Sequence, residues 1–194
     1  MLKRILLAAW LACCGSLPAF ATSVLPVDLG QLVDSAGVSF QGTVVDNRTG
    51  RDPQTGMLVT MTTFRVDDVL KGDVPSSYTI KQIGGTDSTT GMTFRAHGIP
   101  TFDLGQTYVV FLPRPSAAGF SSPIGLGQGR FQVLDGETGP EVANGRDFRD
   151  LTANVPGLEL PAHASAKAAS DKPMRRLGLD DFKQMVRKHA GGQR

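Results

Sequence analysis

The side chains able to do chemistry in this chain are few and scattered. Three histidines, His97, His163 and His189, lack the i, i+4 or similarly close spacing that brings neighbouring imidazoles onto one metal, so no metal centre and no cofactor is expected. Gly125-x-Gly127-x-Gly129 has the small residues of a phosphate-cradling loop. Such a loop presents its anion to the start of a helix, whereas the Phe131-Gln132-Val133-Leu134 that follows reads as strand. No serine sits in a Gly-x-Ser-x-Gly elbow, and neither Asp34-Ser35-Ala36-Gly37 nor Asp87-Ser88-Thr89 reproduces an aspartic-protease signature. Asp67 and Asp68 are neighbours in a strand pattern and point to opposite faces, which places them poorly for sharing a proton. The chain is therefore expected to be no enzyme. The alternative is an envelope enzyme whose site is assembled from distant Asp and His residues, His97 among them.

Recognition by apolar side chains is the better-supported chemistry. Phe94, Phe102 and Phe120 fall in or beside turn-rich segments, and loops on a rigid β scaffold are where binding surfaces concentrate. Residues 113–125 surround Phe120 with Pro, Ser, Ala and Gly. Phe182 and Val186 lie on an apolar stripe near the C-terminus. These five residues are the candidate binding set; packing in the core or in a loop is the competing reading of each.

The elements that would position them are mostly strands. Val38, Phe40 and Val44 alternate with polar residues, with Gly42 leaving room on the same face. A turn-rich stretch from Asp46 to Met57 follows, then a long Val- and Thr-rich strand from Leu58 to Leu70 with Phe64, Val66 and Leu70 inward. Tyr78–Ile83 alternates again, Gly84-Gly85 breaks it, and Met92–Ala96 offers a short strand. The turn at 98–106 feeds Tyr108-Val109-Val110-Phe111-Leu112, a continuous apolar run suited to burial on both faces. Arg130–Leu134, a loop at 135–139 and a return near Val142 complete the pattern. Short strands at turn-separated intervals, without long helices between them, predict a mainly β fold: an antiparallel barrel or sandwich over residues 22–155.

Residues 156–173 shift to Ala, Ser, Lys and Pro and read as a linker. A basic amphipathic helix is expected over 174–194, with Gly178 as N-cap, Asp181 in its first turn and Leu179, Phe182, Met185, Val186 and His189 on one stripe. Leu177 and Phe182 are spaced as a hydrophobic staple. The helix is too short to be stable alone. It is expected to dock on the β body, the competing reading being a helix that orders on a partner or an anionic membrane surface.

Composition and charge set the compartment. A basic start (Lys3, Arg4), an apolar run from Ile5 to Leu17 and Ala19-Phe20-Ala21 read as a secretory signal cleaved after Ala21. An uncleaved membrane helix would have to run through Gly15, Ser16 and Pro18, and Cys13 or Cys14 fits a lipid-attachment motif poorly. Both cysteines of the 194-residue chain lie in that segment, so the expected mature protein has no disulfide. That fits a bacterial periplasmic or secreted protein, although a eukaryotic source stays open. Residues 22–166 carry 10 Lys/Arg against 15 Asp/Glu, a balance of −5, and residues 167–194 carry 8 against 3, a balance of +5. The overall +2 thus joins an acidic body to a basic tail, which can meet its own body, an acidic partner or an anionic surface.

The order Val38-x-Phe40-x-Gly42-x-Val44, Phe64-x-Val66-x-x-Val69-Leu70-Lys71-Gly72 and Gly98-x-Pro100-x-Phe102-x-x-Gly105-x-x-Tyr108-Val109-Val110-Phe111-Leu112 resembles the netrin-type module, found also in tissue inhibitors of metalloproteinases. The resemblance spans roughly residues 33–134 and implies an OB-like five-stranded barrel. Those inhibitors chelate the protease zinc through a free N-terminal cysteine. Here the expected mature start is Thr22-Ser23, so no inhibitory residue carries over. OB-like barrels also bind nucleic acid, but the acidic body and export signal argue against that partner. The expectation is an exported, non-enzymatic binding or regulatory module acting on another exported protein of unknown identity, such as a protease.

Overall fold

The computed structural model describes residues 25–153, 155–162, 164 and 173–192. The expected signal segment 1–21, His163 and residues 165–172 of the expected linker lie outside them. Nine strands are present among the described residues: β1 (Val38–Arg51), β2 (Leu58–Lys71), β3 (Ser77–Ile83), β4 (Gly85–Thr86), β5 (Thr93–Phe94), β6 (Thr107–Leu112), β7 (Arg130–Gly136), β8 (Gly139–Ala143) and β9 (Leu177–Gly178). Seven form one antiparallel sheet in the order β3-β2-β1-β6-β7-β8-β9, and β4 and β5 pair separately. No pairing among the described residues closes the sheet into a barrel. It is accompanied by the α-helices α1 (Leu29–Ser35), α2 (Phe148–Thr152) and α3 (Leu179–Gly191).

β1 and β2 are the spine. β1 runs past Val44, and Asp46–Arg51 pair with Thr63 through Leu58, so the turn expected over 46–57 contracts to residues 52–57. Asn47 and Gly50, turn formers in isolation, are held extended because the facing half of β2 supplies ladder partners, which outweigh local propensity. The pairing shifts register at Ser39/Phe40, Gln41/Gly42 and Val44/Asp46. Such bulges change which face a strand presents. Phe64 and Val66 accordingly pack on one face of the sheet and Leu70 on the other, instead of all three sharing an inner side.

β6 is buried on both faces, as its unbroken apolar run implies: Tyr108 through Leu112 are each at most 1% exposed. Its residues alternate between two cores. Val109 and Phe111 join Phe131, Val142, the apolar faces of all three helices, and Leu158, Ala164, Met174 and Leu177. Tyr108, Val110 and Leu112 join Phe40, Val44, Phe64, Ile80 and Phe102 on the opposite face.

The C-terminal helix packs on the first of these cores. Gly178 is its N-cap, Asp180 and Asp181 occupy the first turn and Lys188 and His189 the last, a charge order that complements the helix dipole. Leu179, Phe182, Met185 and Val186 are buried, and the Phe182 ring lies 4.6 Å from that of Phe131 and 6.0 Å from that of Phe148. Leu177, expected only as a staple residue, pairs with Val142 as the last strand of the sheet. The basic side chains meet the acidic body: Lys183 Nζ lies 3.1 Å from Asp68, Arg187 also bonds Asp68, and His189 Nε2 lies 2.8 Å from Asp34. In the expected linker, Leu158 and Ala164 are buried in the core. α1 was not anticipated; Asp28 accepts from Gln31 N while the Gln31 side chain accepts from Asp28 N, a capping box.

Candidate functional site

The segment between β3 and β6 builds a groove over the exposed halves of β1 and β2. Its entry is set by glycine. Gly84 (φ 106°) and Gly85 (φ 147°) take backbone angles that other residues rarely adopt. A β-carbon on either would approach within 2.9 Å of Phe94 O or Thr60 Oγ1. The chain then forms the β4–β5 hairpin, whose tip is organised by Asp87: its carboxylate accepts from Thr89 N (2.9 Å) and Thr90 N and pairs with Arg51 at 3.2 Å. These contacts, led by the Thr89 bond, hold the Asp87 carboxyl below the usual carboxylate range against the opposing effect of burial.

Side chains from the sheet tie down the main chain of this segment. Thr49 Oγ1 donates to Thr86 O (2.8 Å), Thr60 Oγ1 to Gly84 O (2.7 Å), Gln82 Nε2 to Pro100 O (3.3 Å) and Asn47 Nδ2 to Phe102 O (2.7 Å). Thr62 Oγ1 in turn donates to Asn47 Oδ1 at 2.7 Å. Between hairpin, loop and sheet remains a cavity of about 440 Å³. Its polar walls are largely committed to holding the loop. Its apolar lining comes from Ile83, Phe94, Ile99 and Phe102. Among the described residues no Asp or Glu lines it, while Arg95 and His97 do.

Two of the five candidate binding residues meet here. Phe102 is 5% exposed and stacks edge-on against Phe64 and Tyr108, each at 5.1 Å, so it forms a fixed base. Phe94 is 47% exposed at the rim, and Met92, two residues before it, is 61% exposed. The other three lie elsewhere. Phe120 belongs to a strap that bridges β3 at Lys81; Lys81 Nζ sits 4.7 Å from the Phe120 ring centre and 2.8 Å from Asp52. Bonds from Lys81 first, then from Thr55, keep the Asp52 carboxyl below its ordinary range. Phe182 and Val186, each 0% exposed, are packing residues of the helix-covered face.

Sequence reasoning passed over the threonines and amides of the groove wall. Their signal was present: Thr60 and Thr62 alternate along β2 and Asn47 and Thr49 along β1, the spacing that sends like residues to one face. Among the described residues no group of three or more His, Cys, Asp or Glu converges as metal ligands do. What the arrangement can do is hold an apolar side chain against Phe102 and Phe94, flanked by basic groups. Compared with protein-family models, curated proteins and solved structures, the chain shows no match in any of the three.

Proposed function

We propose that this chain is an exported, non-enzymatic binding module of OB-like, netrin-type architecture, and that it recognises a segment of another exported protein, a protease being one such partner, in the groove beneath the β4–β5 hairpin. The observation that carries the reading is the exposed Phe94 ring over a cavity based on the buried Phe102. Aromatic side chains set beside a preformed pocket are the usual anchors of protein recognition, and an exposed apolar pair such as Met92 and Phe94 marks a place where partner surface is removed from water. The absence of acidic residues from the lining among the described residues, beside Arg95 and His97, selects a segment with an apolar residue followed or preceded by acidic ones.

Export is supported by the signal-like pattern of residues 1–21, and the OB-like reading by the central place of β1 between β2 and β6 and by the order of the motifs. The test is capture from an envelope fraction by the mature protein and by Phe94→Ser side by side, with metal analysis of the same preparation. A protein retained by the parent and lost from the variant is the expected result. Identical capture by both, or stoichiometric zinc bound by His97 and carboxylates, overturns it.

A further inference from the structure

A second cavity, of about 680 Å³, shares the Gly98–Pro100 wall with the groove and opens beside the Gly125–Gly129 turn. Among the described residues two arginines line it, Arg130 and Arg146, and no Asp or Glu does. This is unexpected in a body that carries a balance of −5 over residues 22–166. Among the described residues neither guanidinium lies within ion-pair distance of a carboxylate, and both are half-buried. The carboxylate of Asp103 is engaged by the Tyr108 hydroxyl at 3.3 Å.

Both arginines are nevertheless fixed in place. Arg146 Nη1 donates to Val27 O and, at 2.9 Å, to Gln128 Oε1. Gln128 also bonds Val27 N and Leu25 O, which locks the arginine into the wall. Arg130 Nη1 donates to Thr101 O, and its guanidinium carbon lies 5.2 Å from the Tyr108 ring centre and 5.9 Å from that of Phe102. A guanidinium has five N–H donors, so each keeps several for the cavity after these bonds. Carbonyl acceptors satisfy donors but do not cancel the charge. Two rigid, weakly hydrated cations with spare donors and no counter-ion among the described residues form a preorganised receptor for an oxyanion.

We infer that this cavity is a binding site for a small oxyanionic group, a carboxylate or a phosphate, held between Arg130 and Arg146. The inference stands apart from the partner groove and from Phe94. It is tested on the full chain by an amide NMR titration with sodium phosphate and, separately, sodium acetate, each against sodium chloride at matched ionic strength. Saturable shifts at Gly127, Gly145 and the arginine Nε–H groups are expected, with the apparent Kd raised at least about ten-fold in Arg130→Gln. Because that substitution also removes the bond to Thr101, Gln132→Glu serves as the second variant. It places a carboxylate on the cavity wall while its one side-chain bond, to Gln106, lies at the surface, and it is expected to weaken binding by a similar factor. Saturation by phosphate alone assigns a tetrahedral ligand, by acetate alone a carboxylate, and by both a general oxyanion site. Failure of both probes to saturate, or binding that survives both variants, overturns the inference.

Discussion

The two faces of the sheet are finished in different ways. On one, residues far apart in sequence converge: α1, α2 and α3 bring Leu32, Phe148 and Phe182 onto Phe111 and Phe131, and Asp68 and Asp34 fasten the helix by its basic side chains. On the other, no helix among the described residues covers the cluster of Phe40, Phe64, Phe102 and Tyr108. It is closed at one end by the 95–102 loop, whose main chain hangs on side chains of β1 and β3. The first face is therefore sealed by apolar area, and the second by a few directional bonds around a cavity. The proposed binding function is placed on the second, beside which Phe94 and Met92 leave apolar side chains exposed.

The largest effect is expected where sealing is most complete. Phe182→Ala removes a fully buried ring from a cluster of four, with Phe111, Phe131 and Phe148, and should cost about 3–5 kcal/mol, read as a lowered midpoint in urea or heat. Phe102→Ala should cost less, about 2–3 kcal/mol, because the space it leaves opens into the groove and can fill with water. Equal losses from the two variants would show that the two faces are equally closed and would break the contrast.

That contrast was only partly legible in the sequence. Period-2 alternation gave the strands, and the unbroken run at 108–112 gave the doubly buried β6, because both are local patterns. The helix at the C-terminus was legible from Gly178, Asp181 and its stripe, and its docking followed from its being too short to stand alone. The groove was not. Its walls depend on Asn47 and Thr49 staying in β1 beyond the point where Asn and Gly suggest a turn, and only pairing with β2 decides that. The capping box of Asp28 and Gln31 was readable but sits before a helix of 7 residues, too brief for periodicity to register. Leu70 faces away from Phe64 and Val66 because the pairing shifts at bulges, which have no composition signature.

Acid should separate the faces more finely. Burial pushes the Asp68 carboxyl up, but the bonds and charges of Lys183 and Arg187 outweigh it and leave it below the ordinary range. Its folded pKa is thus depressed relative to the unfolded value near ~3.9. The stability it contributes is present above about pH 4 and is lost as pH falls through the folded value. Asp68→Asn should lower stability at pH 7 by about 0.5–1 kcal/mol and flatten the acid limb of a melting-temperature profile. Asp147, whose bonds to Arg149 hold its carboxyl low, remains in that variant, so some acid sensitivity persists. An unchanged profile would show that the ion pairs at Asp68 do not fasten the helix.

The smallest effect on stability should come from Phe94, the residue on which the binding reading rests. Its ring is about half exposed, its backbone pairs with Gly85 through the main chain alone, and no aromatic neighbour is stacked on it among the described residues. Surface substitutions of this kind shift stability by no more than about 0.5 kcal/mol. Phe94→Ser should melt with the parent while losing partner capture, the reverse of Phe182→Ala, which should melt early and, below its transition, still bind. A Phe94→Ser protein that melts well below the parent would mean that the ring is packing rather than presenting itself. The open face would then be a second core, and recognition would have to be sought at another surface.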